Sequence, residues 1–247
     1  MGKLQKLIIL IVVLWIISKL LSGGLVFNMA KMVALLVALP AYIMAVVLHE
    51  VAHGWVAYLF GDDTAYRAGR LTLNPLDHID VLGLLSLIFF HFGWAKPVPV
   101  NFYRLKPRRW GIFWVAAAGP LANIIQAIFW GVFMVLVAKG GVEYSIAYGF
   151  MFKYKMGLGR MILFYLGMMA MQINVMLAAF NLIPIPPLDG SRMLAAIFNW
   201  EEDVFEMDFA GFFIIILLLS LGILNPVIHI LYKLIFMVVL KLTAFFV

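Results

Sequence analysis

The chain has no cysteine and very little charge. Without cysteine, disulfides and thiolate metal ligands are both excluded, although the redox compartment stays open. Charged residues make up 12% of the 247, against about a quarter in soluble domains, and that rules out an ordinary water-solvated globule. Internal repeats, low-complexity linkers and polar stretches long enough for a second folded unit are also missing. The chain therefore reads as one domain, 1–247. Hydrophobic residues account for 66% of it, and the mean hydropathy is +1.07.

Apolar residues gather in runs: Leu7–Leu21, Met32–Phe60, Ile112–Val137, Met161–Ile183, Phe209–Leu224 and Val227–Val247. Most reach the roughly 17 to 25 residues that a helix needs to cross a hydrocarbon core. This predicts an α-helical polytopic membrane protein with about six transmembrane helices. Lys19 falls near the end of the first run, where a lysine can snorkel to the interface. No convincing small-residue cleavage site follows that run, so an uncleaved anchor is expected over a signal peptide. Val81–Phe92 is too short to cross comfortably and is expected to be re-entrant or interfacial, with a short tilted span as the alternative.

The net charge of +6 bears on topology before nucleic acid, and no nucleic-acid partner is expected. Lys96–Arg109 holds five basic residues and no acid, which places Gly61–Trp110 in the cytoplasm. The amino terminus, with Lys3 and Lys6, and Ser191–Asp208 then share that side, and Lys139–Arg160 lies outside. That outer loop carries a net +3, which argues the other way, but the cluster nearer the central motif is stronger.

That motif is His49-Glu50-Val51-Ala52-His53, an HExxH embedded in an apolar run with no charge from Val33 to Leu48. On a helix, positions i and i+4 share a face, so the two imidazoles can grip one metal ion. Glu50 is one step around, placed to take a proton from a metal-bound water. A catalytic zinc site needs a third protein ligand and one open position. His78, His91 and His229 read as surface or interfacial side chains. Asp189 is the better candidate, in Asn181-Leu-Ile-Pro-Ile-Pro-Pro-Leu-Asp189-Gly190. Pro184, Pro186 and Pro187 must interrupt a helix there, and broken backbone at membrane depth is tolerated only against protein or a wet cavity.

Taken together, these segments resemble the site-2 protease family of intramembrane zinc metallopeptidases. Gly69-Arg-Leu-Thr-Leu-Asn-Pro75 with His78-Ile-Asp80, Gly93-Trp-Ala-Lys-Pro-Val-Pro-Val-Asn101 and Ala118-Gly-Pro-Leu-Ala-Asn123 are similar to further family segments, and all occur in order. The likeness runs from about Leu48 to Arg192, within a catalytic core of about 31–192. The flanking spans 7–21, 209–224 and 227–247 match by hydropathy alone. The resemblance implies one Zn2+ per chain on His49, His53 and Asp189, with Glu50 as general base. It implies that Asn123 and Asn181 face the site and hold substrate or oxyanion, with a bond between helices as the alternative for each. Gly190-Ser191 replaces the paired glycines common in the family, and Phe102-Tyr103 follows Asn101 in place of the usual Pro-Arg. A minimal form without a PDZ or nucleotide-sensing CBS domain is expected, in a prokaryotic cytoplasmic membrane with its site toward the cytoplasm.

Cleavage inside a bilayer also requires an unwound substrate, because helical hydrogen bonds shield the peptide bond. Pro97, Val98, Pro99 and Val100 alternate as an extended segment whose prolines leave one edge without donors, and Arg70-Leu-Thr-Leu73 reads as a strand by alternation. The two predict a small membrane-associated sheet that receives an extended substrate, with the Val98 N–H donating to it. A loop that only packs over the spans is the alternative. The expected partners are single-span membrane protein substrates and the lipid bilayer. A competing class is an ion-binding transporter with a broken helix, which leaves Glu50 without a role. A non-catalytic scaffold leaves the whole His-Glu-His and Asp set without one.

Overall fold

The computed structural model describes residues 29–81, 83–84, 93–139, 142–143, 153–154, 157–200, 214–215, 217–219 and 221–245. The helices are α1 (Met29–Leu59), α2 (Thr64–Arg67), α3 (Arg108–Ala138), α4 (Leu158–Asn181), α5 (Asp189–Phe198) and α6 (Asn225–Phe245). Among the described residues, four segments are long and apolar enough to cross a membrane: Ala38–Leu59 within α1, and all of α3, α4 and α6. Of the six expected spans, Leu7–Leu21 lies outside the described residues. Phe209–Leu224 is described only in part, as short helical pieces at 214–215 and 217–219 and a turn over 221–224. Residues 81, 83 and 84 are helical, and the remainder of Val81–Phe92 lies outside the described residues.

α3 shows why such a chain needs lipid. Leu121, Ile125, Phe129 and Leu136 run down one side and are 44 to 67% exposed. An uncovered apolar stripe of that length fits hydrocarbon and not water. The opposite side carries Ala116, Gly119, Pro120, Asn123, Ala127 and Gly131, all buried. These small side chains let neighbouring backbones approach closely, the usual way for helices to associate where lipid tails are as apolar as leucine. α3 is accordingly the central element, packed on α1, α4, α5 and α6. One cluster joins Ala127 of α3 to Met171, Val175, Ala178 and Ala179 of α4 and to Ile235 and Val239 of α6. A second joins Ala57 of α1, Leu105 from the loop before α3, Ile112 and Val115 of α3, and Ala196 of α5.

The expected sheet between Arg70–Leu73 and Lys96–Asn101 does not form. Arg70–Leu73 is not a strand, and the backbone around it is bonded locally. The Arg70 N–H returns to the Ala65 carbonyl, Thr72 Oγ1 accepts from the Asn74 N–H, and Asn74 caps the turn Pro75–Asp77 through the Leu76 N–H. Short polar side chains that bond nearby backbone compete with a ladder in this way. The second segment cannot offer N–H groups at Pro97 or Pro99. What links the two regions is one bridge, Ile79 with Ala95, and a bond from the Arg70 guanidinium to the Lys96 carbonyl at 2.8 Å. The strand pair that does occur, β1 (Val142–Glu143) with β2 (Lys153–Tyr154), is antiparallel and lies in the loop between α3 and α4.

Candidate metal centre

His49 and His53 project from one side of α1 toward α5, whose first residue is Asp189. His49 Nε2 and His53 Nε2 stand 3.0 Å apart, and Asp189 Oδ2 is 3.3 Å from the first and 3.4 Å from the second. α4 ends at Asn181, and a compact turn replaces its next residues. The Ile185 N–H bonds to the Ile183 carbonyl and the Leu188 N–H to the Ile185 carbonyl, while Ile183 and Leu188 are buried with Ile215. A Cβ on Gly190 would collide with the Leu182 carbonyl, so glycine is required there for close approach of backbone. Ser191 is buried and donates its hydroxyl to the Leu188 carbonyl at 2.7 Å. The carboxylate thus starts a helix, where the free N–H groups of the first turn favour negative charge.

The far ring nitrogens decide what faces the centre. His53 Nδ1 is 2.7 Å from the Val115 carbonyl, which can only accept, so Nδ1 carries a proton and Nε2 is the nitrogen left to face a ligand. The same logic reaches His49 through two amides. Asn174 Nδ2 donates to the Ala170 carbonyl at 2.9 Å, which leaves Asn174 Oδ1 to accept from Asn123 Nδ2 at 2.9 Å. The second Asn123 N–H goes to the Ala45 carbonyl at 3.1 Å. Asn123 Oδ1 must then face His49 Nδ1 at 2.6 Å and accept its proton. With Nδ1 of each ring engaged, both Nε2 atoms turn toward Asp189 Oδ2, which is buried and has no hydrogen-bond partner. Two imidazoles and one carboxylate, whose ligand atoms all lie within 4.8 Å of one another, are the donor set of a catalytic zinc site.

Gly119 leaves room for this arrangement. A Cβ there would strike the imidazoles of both His49 and His53, so a side chain on α3 would fill the space the ligands use. Glu50 is half-buried on the adjacent face, and its Oε2 accepts the Val98 N–H at 2.9 Å. Val98 is buried, so the expectation that its N–H is offered to substrate gives way to a bond made inward, to the chain's own glutamate. Pro97, Pro99 and Val100 flank it outside any helix or strand.

Asn123 is wholly buried behind His49, with both N–H groups and its oxygen engaged. Asn181 is half-buried at the end of α4 and bonds back to the Leu177 carbonyl at 3.0 Å. His78 is buried against the Thr72 carbonyl, His229 is exposed on α6, and His91 lies outside the described residues. Sequence reasoning did not single out Asn174, Gly119 or the Val115 carbonyl. A signal existed for one of them: Asn174 is a polar residue inside an apolar run, two helical turns before Asn181.

Fold and site together define a helical membrane protein with a His-His-Asp metal centre and a glutamate beside it. The sequence profile of Peptidase family M50 matches residues 35–224, and the chain belongs to that family, as its motifs predicted. Its relatives carry provisional zinc-metalloprotease names. It is 42% identical to YwhC of Bacillus subtilis over 154 residues, 62% of this chain and 64% of YwhC. It is 28% identical to MJ0611 of Methanocaldococcus jannaschii over 150 residues, 60% of this chain and 63% of that protein. It is 29% identical to Rip2 of Mycolicibacterium smegmatis over 198 residues, 77% of this chain and 69% of Rip2. The chain thus spans slightly under two thirds of the length of the first two. No solved structure is significantly similar to it.

Proposed function

We propose that the protein is a zinc-dependent intramembrane metalloendopeptidase that cuts single-span membrane proteins within or near their transmembrane segments. The observation that carries this reading is the convergence of His49 Nε2, His53 Nε2 and Asp189 Oδ2, with Glu50 next to His49 on the same helix. His49, His53 and Asp189 would hold one zinc ion. When bound, it supplies a Lewis acid that polarises the scissile carbonyl and lowers the pKa of a water ligand toward about 7.

The rest of the chemistry falls to the chain. Glu50 takes the water proton and returns it to the leaving amine. Asn123 fixes the tautomer of His49, and the Val115 carbonyl fixes that of His53, so both Nε2 lone pairs stay available. The burial of Asn123 favours this positioning role over contact with substrate, and Asn181 is the remaining candidate for an amide that meets the substrate. A substrate segment would pass beside Pro97–Val100 in unwound form, along an edge other than the Val98 N–H.

We further propose a prokaryotic cytoplasmic membrane, with the Arg108 end of α3 inside. Arg108 begins α3, and Lys153 lies in the loop that follows its other end. Single cysteines at these positions should label from opposite sides, in a chain that has no native cysteine. Labelling from one side would overturn the span assignment.

The decisive test is detergent-solubilised protein incubated with a panel of single-span peptides, wild type against Glu50→Gln, with products read by mass spectrometry. Wild type should cut. Glu50→Gln should keep its zinc and lose roughly 100-fold or more of the rate. Metal-dependent ion flux that survives Glu50→Gln, with no cleavage by either protein, would favour a transporter and end the peptidase reading.

A further inference from the structure

The segment that leads into α3 is pinned to α1 and to the turn that follows it, and one of the pins ends on Glu50. The Val98 N–H donates to Glu50 Oε2 at 2.9 Å. Three residues on, the Asn101 N–H donates to Asp62 Oδ2 at 2.6 Å. Asp62 is completely buried just past the end of α1, and its other oxygen accepts both the backbone N–H of Thr64, at 3.1 Å, and the Thr64 hydroxyl. A buried carboxylate is costly unless its lone pairs are satisfied, and here three donors satisfy them. The Lys106 N–H then reaches the Phe60 carbonyl at 2.8 Å.

The seat for Val98 is cut by a glycine. Gly54 lies one helical turn beyond Glu50, so the two share a face of α1. A Cβ on Gly54 would stand 2.8 Å from Val98 Cγ1 and 2.7 Å from Leu71 Cδ2. The leucine tip can swing aside, but Val98 is β-branched, buried and set between two prolines of fixed φ, so it would have to lift. Lifting Val98 draws its N–H away from Glu50.

We propose that the Val98 N–H is the positioning group for Glu50, seated by Gly54 and Asp62, and that neither Gly54 nor Asp62 touches metal or substrate. Rigid donation to one carboxylate oxygen would leave the other free to take a proton from a water on a bound metal. A carboxylate without that bond samples several rotamers, and only some of them reach the water. This rests on the reading of Glu50 as the proton acceptor.

The experiment is a set of steady-state and metal measurements on the full-length protein in detergent. Gly54→Ala and Asp62→Asn should each lower kcat roughly 10- to 100-fold, the range expected for partners that orient active-site groups, with KM and zinc content unchanged. Adding Val98→Ala to Gly54→Ala removes the colliding methyl while keeping the N–H, and should restore most of kcat. A merely structural role for these residues would not produce that rescue. Loss of zinc in parallel with kcat, a rise in KM alone, or failure of the rescue would each overturn the proposal.

A separate readout needs no turnover. In protein labelled with 15N-valine, the Val98 amide resonance, identified by its loss in Val98→Ala, should shift in Glu50→Ala. If wild type cuts nothing and this resonance still responds, the peptidase reading fails and the Val98–Glu50 contact stands. If the resonance does not respond, the positioning proposal fails whatever the enzyme cuts.

Discussion

The metal centre and the loop beside it solve the same problem by different means. At the centre, the backbone groups of α1, α3 and α4 are satisfied within each helix. Side chains are therefore free to bond one another across helices, and the Asn174–Asn123–His49 chain is the result. From Gly93 to Pro107 the backbone has almost no ladder, and it must borrow acceptors from α1 and the turn after it: the Glu50 carboxylate, the Asp62 carboxylate and the Phe60 carbonyl. The first arrangement suits hydrocarbon, where each unsatisfied backbone group costs several kcal/mol. The second joins an irregular segment to a catalytic helix, and it makes the loop's position a property of the site. Ligand geometry should therefore depend on helix packing, and base geometry on the loop.

The largest effects should come from breaking the first arrangement without touching a ligand. Gly119→Ala puts a methyl group into the space of both imidazoles. It should abolish zinc binding as completely as Asp189→Ala does, while Glu50→Gln retains the metal. Elemental analysis of purified protein checks all three. A Gly119→Ala protein that keeps full zinc would mean that α3 can withdraw from α1, and that the close approach is not what shapes the centre.

Next in size is the amide relay. Asn123→Ala removes the acceptor that holds the His49 proton on Nδ1, and outer partners of metal ligands typically contribute 10- to 100-fold in affinity or activity. Zinc affinity, read by competition with a chelator, should fall by roughly that factor. Asn174→Ala should have a smaller effect in the same direction, because Asn123 keeps its bond to the Ala45 carbonyl. Equal losses in both variants would show that Asn174, not the helix carbonyl, fixes the amide's orientation.

The ligands were legible in the sequence because their chemistry is local. His49 and His53 are one helical turn apart, and Asp189 follows a proline run that no continuous helix can contain. Four of the six expected spans were legible as long apolar helices from hydropathy alone, since length and apolarity are sufficient for that conclusion. The supporting residues were not, because their roles come from pairing across the fold. Asn123 meets Asn174 over 51 positions, and Asp62 meets Asn101 over 39. Asp62 follows Gly61 at the end of a span, where an acid ordinarily faces water. The sheet misled for a related reason: Arg70–Leu73 alternates like a strand, but Thr72 and Asn74 take its neighbouring backbone into turns. Local side-chain bonds overrode the pattern there.

The smallest effect tests whether the two arrangements meet. Arg109, at the start of α3, donates its Nε to the Ala196 carbonyl at 2.8 Å and a terminal nitrogen to the Ile197 carbonyl at 2.7 Å. Those carbonyls belong to the last turn of α5, the helix that begins with Asp189. A guanidinium there completes acceptors the helix leaves open and complements the negative end of its dipole. The group is largely exposed, so solvent replaces much of what is lost, and Arg109→Gln should cost about 1 kcal/mol of local stability. Faster amide exchange in the last turn of α5, with zinc affinity nearly unchanged, is the expected result. Asp189 sits at the other end of that helix, fastened independently by the Ile183–Leu188 turn and the Gly190 contact, so fraying should stop short of it. Loss of zinc from Arg109→Gln would show the opposite: that the carboxylate depends on the far end of its helix, and through Arg109 on the loop that leads into α3.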